Sequence, residues 1–126
     1  MFVNKVEVLN MARAMAVHAS ARQGVIARNV ANADTPGYRA RDLTSFADVW
    51  DSQGTALRTT RAGHIGGAAQ ASAGLMPDRL HASPNGNSVS LETEMVKAAE
   101  TRQAHDMALA IYSSLSGNIR ATLGRR

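Results

Sequence analysis

From Lys5 onward, Leu9, Ala12, Ala16, Ala19, Gln23, Ile26 and Val30 follow alternating steps of three and four, and Val8, Met11, Met15 and Val25 broaden the stripe. Asn10, Arg13, Ser20 and Arg28 fall opposite, so the spacing predicts an amphipathic helix over 5–33. Gly24 weakens that helix. A second stripe lies toward the other end of the chain. Leu91, Met95, Ala98 and Ala99 open it, and Ala108, Ile111, Tyr112, Leu115, Ile119 and Leu123 continue it, which predicts a helix over 88–124. Ser88 or Ser90 can cap this helix, Glu92 and Glu94 suit the positive end of its dipole, and Gly124 ends it. Arg102, Gln103, His105 and Asp106 interrupt the stripe. They signify either a local bend or exposure, or a polar seam against neighbouring chains.

Between the stripes, residues 51–87 are rich in Gly, Ala, Ser and Thr, with Leu57, Ile65, Leu75, Met76 and Leu80 isolated and no periodicity. Such a stretch buries too little surface to offset its ordering entropy, and it is expected to be a long flexible loop with room for a short hairpin. Residues 34–50 form a turn followed by an extended or short helical segment. Thr35 precedes Pro36 and is pushed out of the helical region, and Thr35-Pro36-Gly37-Tyr38 reads as a type II turn with Gly in third position. Just before it, Asn29 and Asn32 share one helix face, where either something polar is recognised or the helix is ending. Asp42 to Trp50 reads as a short helix with Leu43, Phe46 and Trp50 on one side.

The expected fold is all-α, a single unit over 1–126. Two long terminal helices pack as an antiparallel, coiled-coil-like hairpin joined by the flexible middle. Ala12, Ala16 and Ala19 permit close helix approach, and the unbranched Met11, Met15, Met95 and Met107 adapt to inequivalent surroundings. Both stripes are wider than one antiparallel contact covers. Neighbouring subunits are therefore expected to complete them, with order gained mainly on assembly, and a heterologous repeat of such contacts generates an open helical assembly.

Composition sharpens this picture chiefly by exclusion. The net charge of +4 comes almost wholly from arginines dispersed along the chain, which suits carboxylate partners and protein interfaces better than nucleic acid. There is no cysteine, so disulfides and thiolate sites are excluded. Arg13, His18, Arg22 and Arg28 break up the one Ala/Met/Val-rich stretch, which argues against a membrane span and a cleaved signal peptide. His18, His64, His81 and His105 are far apart and fit no metal-ligand spacing, no nucleotide-binding motif occurs, and the carboxylates are scattered. No enzyme activity, cofactor or metal is expected.

The wording of one segment says more than its physics. Asn29, Ala31, Asn32, Ala33, Asp34, Thr35, Pro36, Gly37 and Tyr38 closely resemble the signature of the flagellar axial proteins, the rod, hook and hook-associated family. The continuation Arg39-Ala40-Arg41-Asp42-Leu43, followed by Phe46, is most similar to the proximal rod members; distal rod and hook members continue with Gly-Phe-Lys. Gly86-Asn87-Ser88-Val89, leading into Leu91, Glu92, Glu94 and Met95, is also similar to that family. The resemblance implies a structural subunit of the bacterial flagellar basal body, forming the proximal part of the rod that transmits torque and encloses the export channel. It implies export through the flagellar type III apparatus and residence in the rod within the periplasmic space, without membrane insertion. The implied partners are other copies, other rod proteins, the ring junction and export-gate components, with no nucleic acid or small-molecule substrate. Asn29 through Tyr38 would fix the turn from the first helix to the outer part of the subunit. The residues alone leave a different class open, a cytosolic helical-hairpin adaptor or chaperone that binds partner helices.

Overall fold

Two helices, α1 (Phe2–Ala31) and α3 (Leu91–Leu123), dominate the chain and pack against each other. The computed structural model describes residues 2–53, 74–77 and 82–124. The pairing is antiparallel: Asn29 at the end of α1 bonds to Glu94 in the first turn of α3, and Ala19 and Thr101 line a common cleft farther along. Counting seven residues onward along each helix, in opposite senses, reaches Ala12 and Ala108. All four are buried, together with Val25 and Ile26. Small side chains at this spacing let the two backbones approach closely.

Ser90 caps α3 by accepting the Thr93 N–H, and Glu92 and Glu94 follow in the first turn. The helix thus starts three residues later than the sequence spacing places it, because Ser88 and Ser90 are both available and Ser88 is used elsewhere. Similarly, α1 ends at Ala31, two residues before the expected boundary. The interruption at Arg102 to Asp106 leaves α3 continuous. Arg102, Gln103 and Asp106 are exposed, while the contact with α1 passes through Thr101, half-buried Ala104 and Ala108. Thr101 tolerates burial because its hydroxyl donates to the Lys97 carbonyl at 2.6 Å.

The chain between the helices carries a minimal ribbon. Strand β1 (Arg41–Leu43) pairs antiparallel with β2 (Leu75–Pro77), setting Arg41 opposite Pro77, Asp42 opposite Met76 and Leu43 opposite Leu75. Leu43 is therefore in a strand, and the short helix α2 begins only at Phe46 (Phe46–Gln53). Ser45 sets that start by accepting the Asp48 N–H and donating to the Asp48 carboxylate. The Phe46 ring meets His18 edge-on at 5.7 Å and Trp50 at 5.9 Å, which fastens α2 to α1. His18 also donates from Nε2 to the Thr44 carbonyl at 2.8 Å. Within the segment expected to be a loop, 51–53 are the last residues of α2, Leu75–Pro77 is strand and 82–87 is a built turn; residues 54–73 and 78–81, with His64 and His81, lie outside the described residues.

Ala12→Leu should cost about 1–3 kcal/mol, because the added methylenes must enter a buried position of the helix seam. Gly24→Ala should do the reverse, gaining up to about 1 kcal/mol: the site is exposed and helical, and a Cβ there meets nothing within 4 Å. Chemical denaturation of the two variants beside the parent chain measures both shifts.

Candidate functional site at the elbow of the hairpin

The last turn of α1 leaves carbonyl groups that helix geometry cannot satisfy. The chain closes some of them by tightening: Ala33 N–H donates to Val30 O, and Thr35 N–H to Asn32 O. It then reverses at Thr35 to Tyr38, with Tyr38 N–H donating to Thr35 O at 3.2 Å and Gly37 at φ +73°, as a type II turn requires. A second tight turn, Ser83 to Gly86, lies against the first. Gly86 has φ +80°, its N–H donates to Ser83 O, and Asn85 O accepts the Gly37 N–H at 3.0 Å. A Cβ on Gly86 would sit 3.3 Å from the Gly37 Cα, so a side chain there would force the turns apart.

Asn87 locks this junction. Its buried amide donates to the carbonyls of Asn32, Ala33 and Thr35 at 3.0, 2.8 and 2.9 Å, and its oxygen accepts the Val89 N–H. The residue thus pins the turn that follows α1 to the segment that leads into α3. Next to it, Ser88 N–H donates to Tyr38 O, and Ser88 Oγ accepts the Ala40 N–H at 2.8 Å.

Asn29 organises the inner side of the elbow. Its buried amide donates to Arg41 O at 2.7 Å and to Glu94 Oε2 at 3.1 Å, while its oxygen accepts from Arg41 N–H and the Tyr38 hydroxyl. The side chain therefore pairs with Arg41 as a neighbouring strand would. Glu94 is fully buried, and its other oxygen accepts from Lys97 Nζ at 3.2 Å. Lys97 lies 3.7 Å from Asp42, and Arg22 grips Asp42 with two bonds of 2.9 Å. Among the described residues, no buried side-chain nitrogen or oxygen lacks a partner.

The electrostatics follow from this geometry. The hydrogen bond to Asp42 raises the Arg22 guanidinium above its ordinary value, with burial opposing. At Asp42, burial pushes the carboxyl up, but the Arg22 hydrogen bond, the Leu43 N–H and the charges of Arg22 and Lys97 outweigh it and hold the carboxyl low.

The sequence-assigned residues distribute unevenly. Asn29 and Asn32 do not serve one face: Asn29 points inward, whereas Asn32 donates to Arg28 O and accepts from the Thr35 hydroxyl at its own helix end. Asp34, Thr35, Pro36 and Gly37 are exposed, and Tyr38 is half-buried. Of the residues assigned to helix packing, Ile26 is buried and Leu9, Ala16, Leu115 and Ile119 are half-buried. Val30 and Met95 are exposed because the adjoining seam positions belong to Asn29 and Glu94. Ile111 and Tyr112 are also exposed, beyond the tight contact at Ala108, where Val8 on α1 is likewise open. Arg22, Asp42, Asn87 and Lys97 had no assigned role, Ser88 only that of a candidate helix cap, and Glu94 only its place near the helix dipole. One signal was available: Glu94 and Thr101 continue the seven-residue spacing of Ala108 and Leu115, and Arg22 and Asn29 have the same spacing on α1.

These polar groups are engaged with one another, an arrangement that fixes a shape. Among the described residues, no cluster of His, Cys, Asp or Glu could hold a metal ion, and no helix is long and apolar enough to cross a membrane. Residues 11–39, covering most of α1 and the first turn of the elbow, match the family described as Flagella basal body rod protein. Flagellar basal body rod protein FlgB of Cereibacter sphaeroides is 34% identical over 120 residues, which span 87% of this chain and 94% of that protein. The chain belongs to the FlgB family. Its similarity to FlgB of Salmonella typhimurium is 33% over 74% of this chain and 75% of that one, and to FlgB of Agrobacterium fabrum 28% over 95% of each. Membership makes the chain a structural subunit of the flagellar basal-body rod, and the adaptor reading is not favoured.

Two measurements test the elbow. A carboxyl held below its ordinary pKa contributes stability that is present above the unfolded-state value and lost as pH falls through the folded-state value. Stability should therefore hold from neutral to mildly acidic pH and decline below about pH 4, with Asp42→Asn flattening that decline. Asn87→Ala should cost about 1–3 kcal/mol at neutral pH, since the Ala33 carbonyl loses its donor and those of Asn32 and Thr35 keep only their turn bonds. Urea titrations at stepped pH read both effects.

Proposed function

We propose that this subunit forms the proximal part of the rod, where its terminal helices join the inner helical layer that encloses the export channel and carries torque. The observation that supports this reading is the placement of exposed apolar residues on α3. At about 100° per residue, Leu91, Met95 and Leu109 fall on one shoulder of the contact with α1, and Val96, Met107 and Ile111 on the other. A helix with apolar shoulders on both sides of a filled seam suits neighbours on both sides. Val30 on α1 and Tyr112, beyond the tight contact at Ala108, are exposed as well. These neighbours are other copies and other rod proteins, with the ring junction and export-gate components at the rod's base. Assembly completes the ordering of the helices.

The proximal position rests on the Arg39-Ala40-Arg41-Asp42-Leu43 continuation, and within this reading Asn29 to Tyr38 direct the chain from α1 toward the outer part of the subunit. The subunit travels through the flagellar type III apparatus, lies in the rod within the periplasmic space and has no catalytic role or cofactor.

Leu109→Asp and Ile111→Asp place a charge on opposite shoulders. Each should block incorporation into basal bodies and abolish motility while export of the chain continues, because an unpaired charge buried at an interface costs several kcal/mol, on the order of 3–5. Gln103→Asp, at an exposed polar position, should be neutral. Normal motility and incorporation with both shoulder variants would put those faces in solvent and remove the argument for flanking helices.

A further inference from the structure

Asn85-Gly86 is the one Asn-Gly pair in the chain. In such a pair the Gly amide nitrogen can attack the Asn side-chain carbonyl carbon, because no Cβ on the following residue hinders the approach. A bond forms from the Gly86 nitrogen to Asn85 Cγ, the Cγ–Nδ2 bond breaks, and ammonia leaves. The resulting five-membered succinimide then takes up water at one of its two carbonyls. Opening at one returns aspartate; opening at the other gives isoaspartate, in which the main chain runs through Cβ and Cγ.

Asn85 is exposed, so solvent reaches the reacting amide. The peptide that must move is nevertheless held at both ends. Its N–H, on Gly86, donates to Ser83 O at 2.8 Å, and its carbonyl, on Asn85, accepts from Gly37 N–H at 3.0 Å. The side-chain oxygen accepts the Asn87 N–H at 3.0 Å. Among the described residues only Gly37 and Gly86 have positive φ, so Asn85 takes the third position of a type I turn, where ψ lies near 0°. Ring closure eclipses the Gly86 nitrogen with the Asn85 Cβ, which tetrahedral geometry at Cα places about 120° of ψ from that value. Turning the peptide so far breaks both of its hydrogen bonds and separates the two turns. The nitrogen must also lose the proton it shares with Ser83 O before it can attack.

We propose that Asn85 is a site of spontaneous deamidation which closure of the elbow suppresses, so that the reaction marks chains whose elbow is open. The isoaspartate product does not fit the closed elbow. In it the former Asn85 carbonyl, the acceptor for Gly37, becomes a carboxylate on a branch, and the turn from Ser83 to Gly86 gains a backbone atom. An unfolded chain thus has a limited time in which to fold, and a folded one is preserved.

The whole purified chain is incubated in mildly alkaline buffer with and without guanidinium chloride, with helical circular dichroism recorded throughout. Trypsin cleaves on either side of the pair, at Arg79 and Lys97, and mass spectrometry of that peptide counts the deamidated form and separates aspartate from isoaspartate. Conversion at Asn85 should be at least about tenfold slower in buffer than in denaturant. Gly37→Val, distant in sequence from the reacting pair and strained at φ +73°, should raise the rate in buffer at least about threefold while the helices remain. Equal rates with and without denaturant in the parent, no conversion in denaturant, or a helical Gly37→Val chain as slow as the parent would each overturn the proposal. If Gly37→Val loses its helices, Gly37→Ala, a smaller strain at the same φ, replaces it with the same expectation.

Refolding the aged material reads the effect of the product. The fraction that unfolds at lower denaturant should match the isoaspartate content, and Asn85→Asp, which carries the charge without the added atom, should unfold with the parent. Aged chain rich in isoaspartate that unfolds together with Asn85→Asp would refute the exclusion of that product from the closed elbow.

Discussion

A carboxylate removed entirely from water is costly unless partners take its oxygens, and much of this structure is arranged around the one at Glu94. The Asn29 amide and the Lys97 ammonium take its two oxygens. Each partner then imposes a further requirement. The other amide contacts of Asn29 demand that Arg41 lie alongside the end of α1, and the placement of Lys97 brings Asp42 and Arg22 into one chain of contacts. The strand β1 is held to α1 by side chains, in a region where helix and strand have no backbone ladder in common.

This explains why the elbow is rich in Asn and Ser. Three segments meet there, the end of α1, the strand approach at 38–43 and the lead into α3 at 83–90, and each arrives with backbone groups that regular structure does not satisfy. An amide side chain supplies both a donor and an acceptor from a short stem, so Asn87 can pin the turn after α1 while steering the chain into α3. A leucine in place of Asn87 would bury more apolar surface and leave the Ala33 carbonyl without its donor.

Much of this was legible in the sequence wherever a local rule governs. The helical stripes, the capping serine and the turn with Gly37 each follow from residues within a few positions of one another. What was not legible depends on contacts across the chain. Glu94 sits in a first helical turn, where a carboxylate is ordinary, and only the approach of Asn29 makes its burial tolerable. Val30 and Met95 look like seam residues by spacing, yet each lies beside a polar residue that takes the inward position. Leu75 to Pro77 lack periodicity because three residues are too few to display one, and their order comes from Arg41 to Leu43. The polar interruption in α3 is local exposure without a break in the helix, and charged residues at outward positions say nothing about the small ones between them.

The contact of Gly37 with Gly86 has a consequence for how such a subunit can change over generations. The two turns pin the entry and the exit of the intervening chain, with Gly37 N–H and Asn85 O only 3.0 Å apart. Between them β1 and α2 pack back on α1, and the pairing of β1 with β2 completes the neck that closes the connection from α2 to β2. Lengthening that connection changes mainly the entropy of closure, roughly 0.6 kcal/mol for each doubling of length, and leaves the helical hairpin on the near side untouched. Insertions, deletions and even a whole added domain can therefore accumulate beyond the neck while the hairpin continues to fit its neighbours, so the two halves of the subunit are free to evolve at different rates.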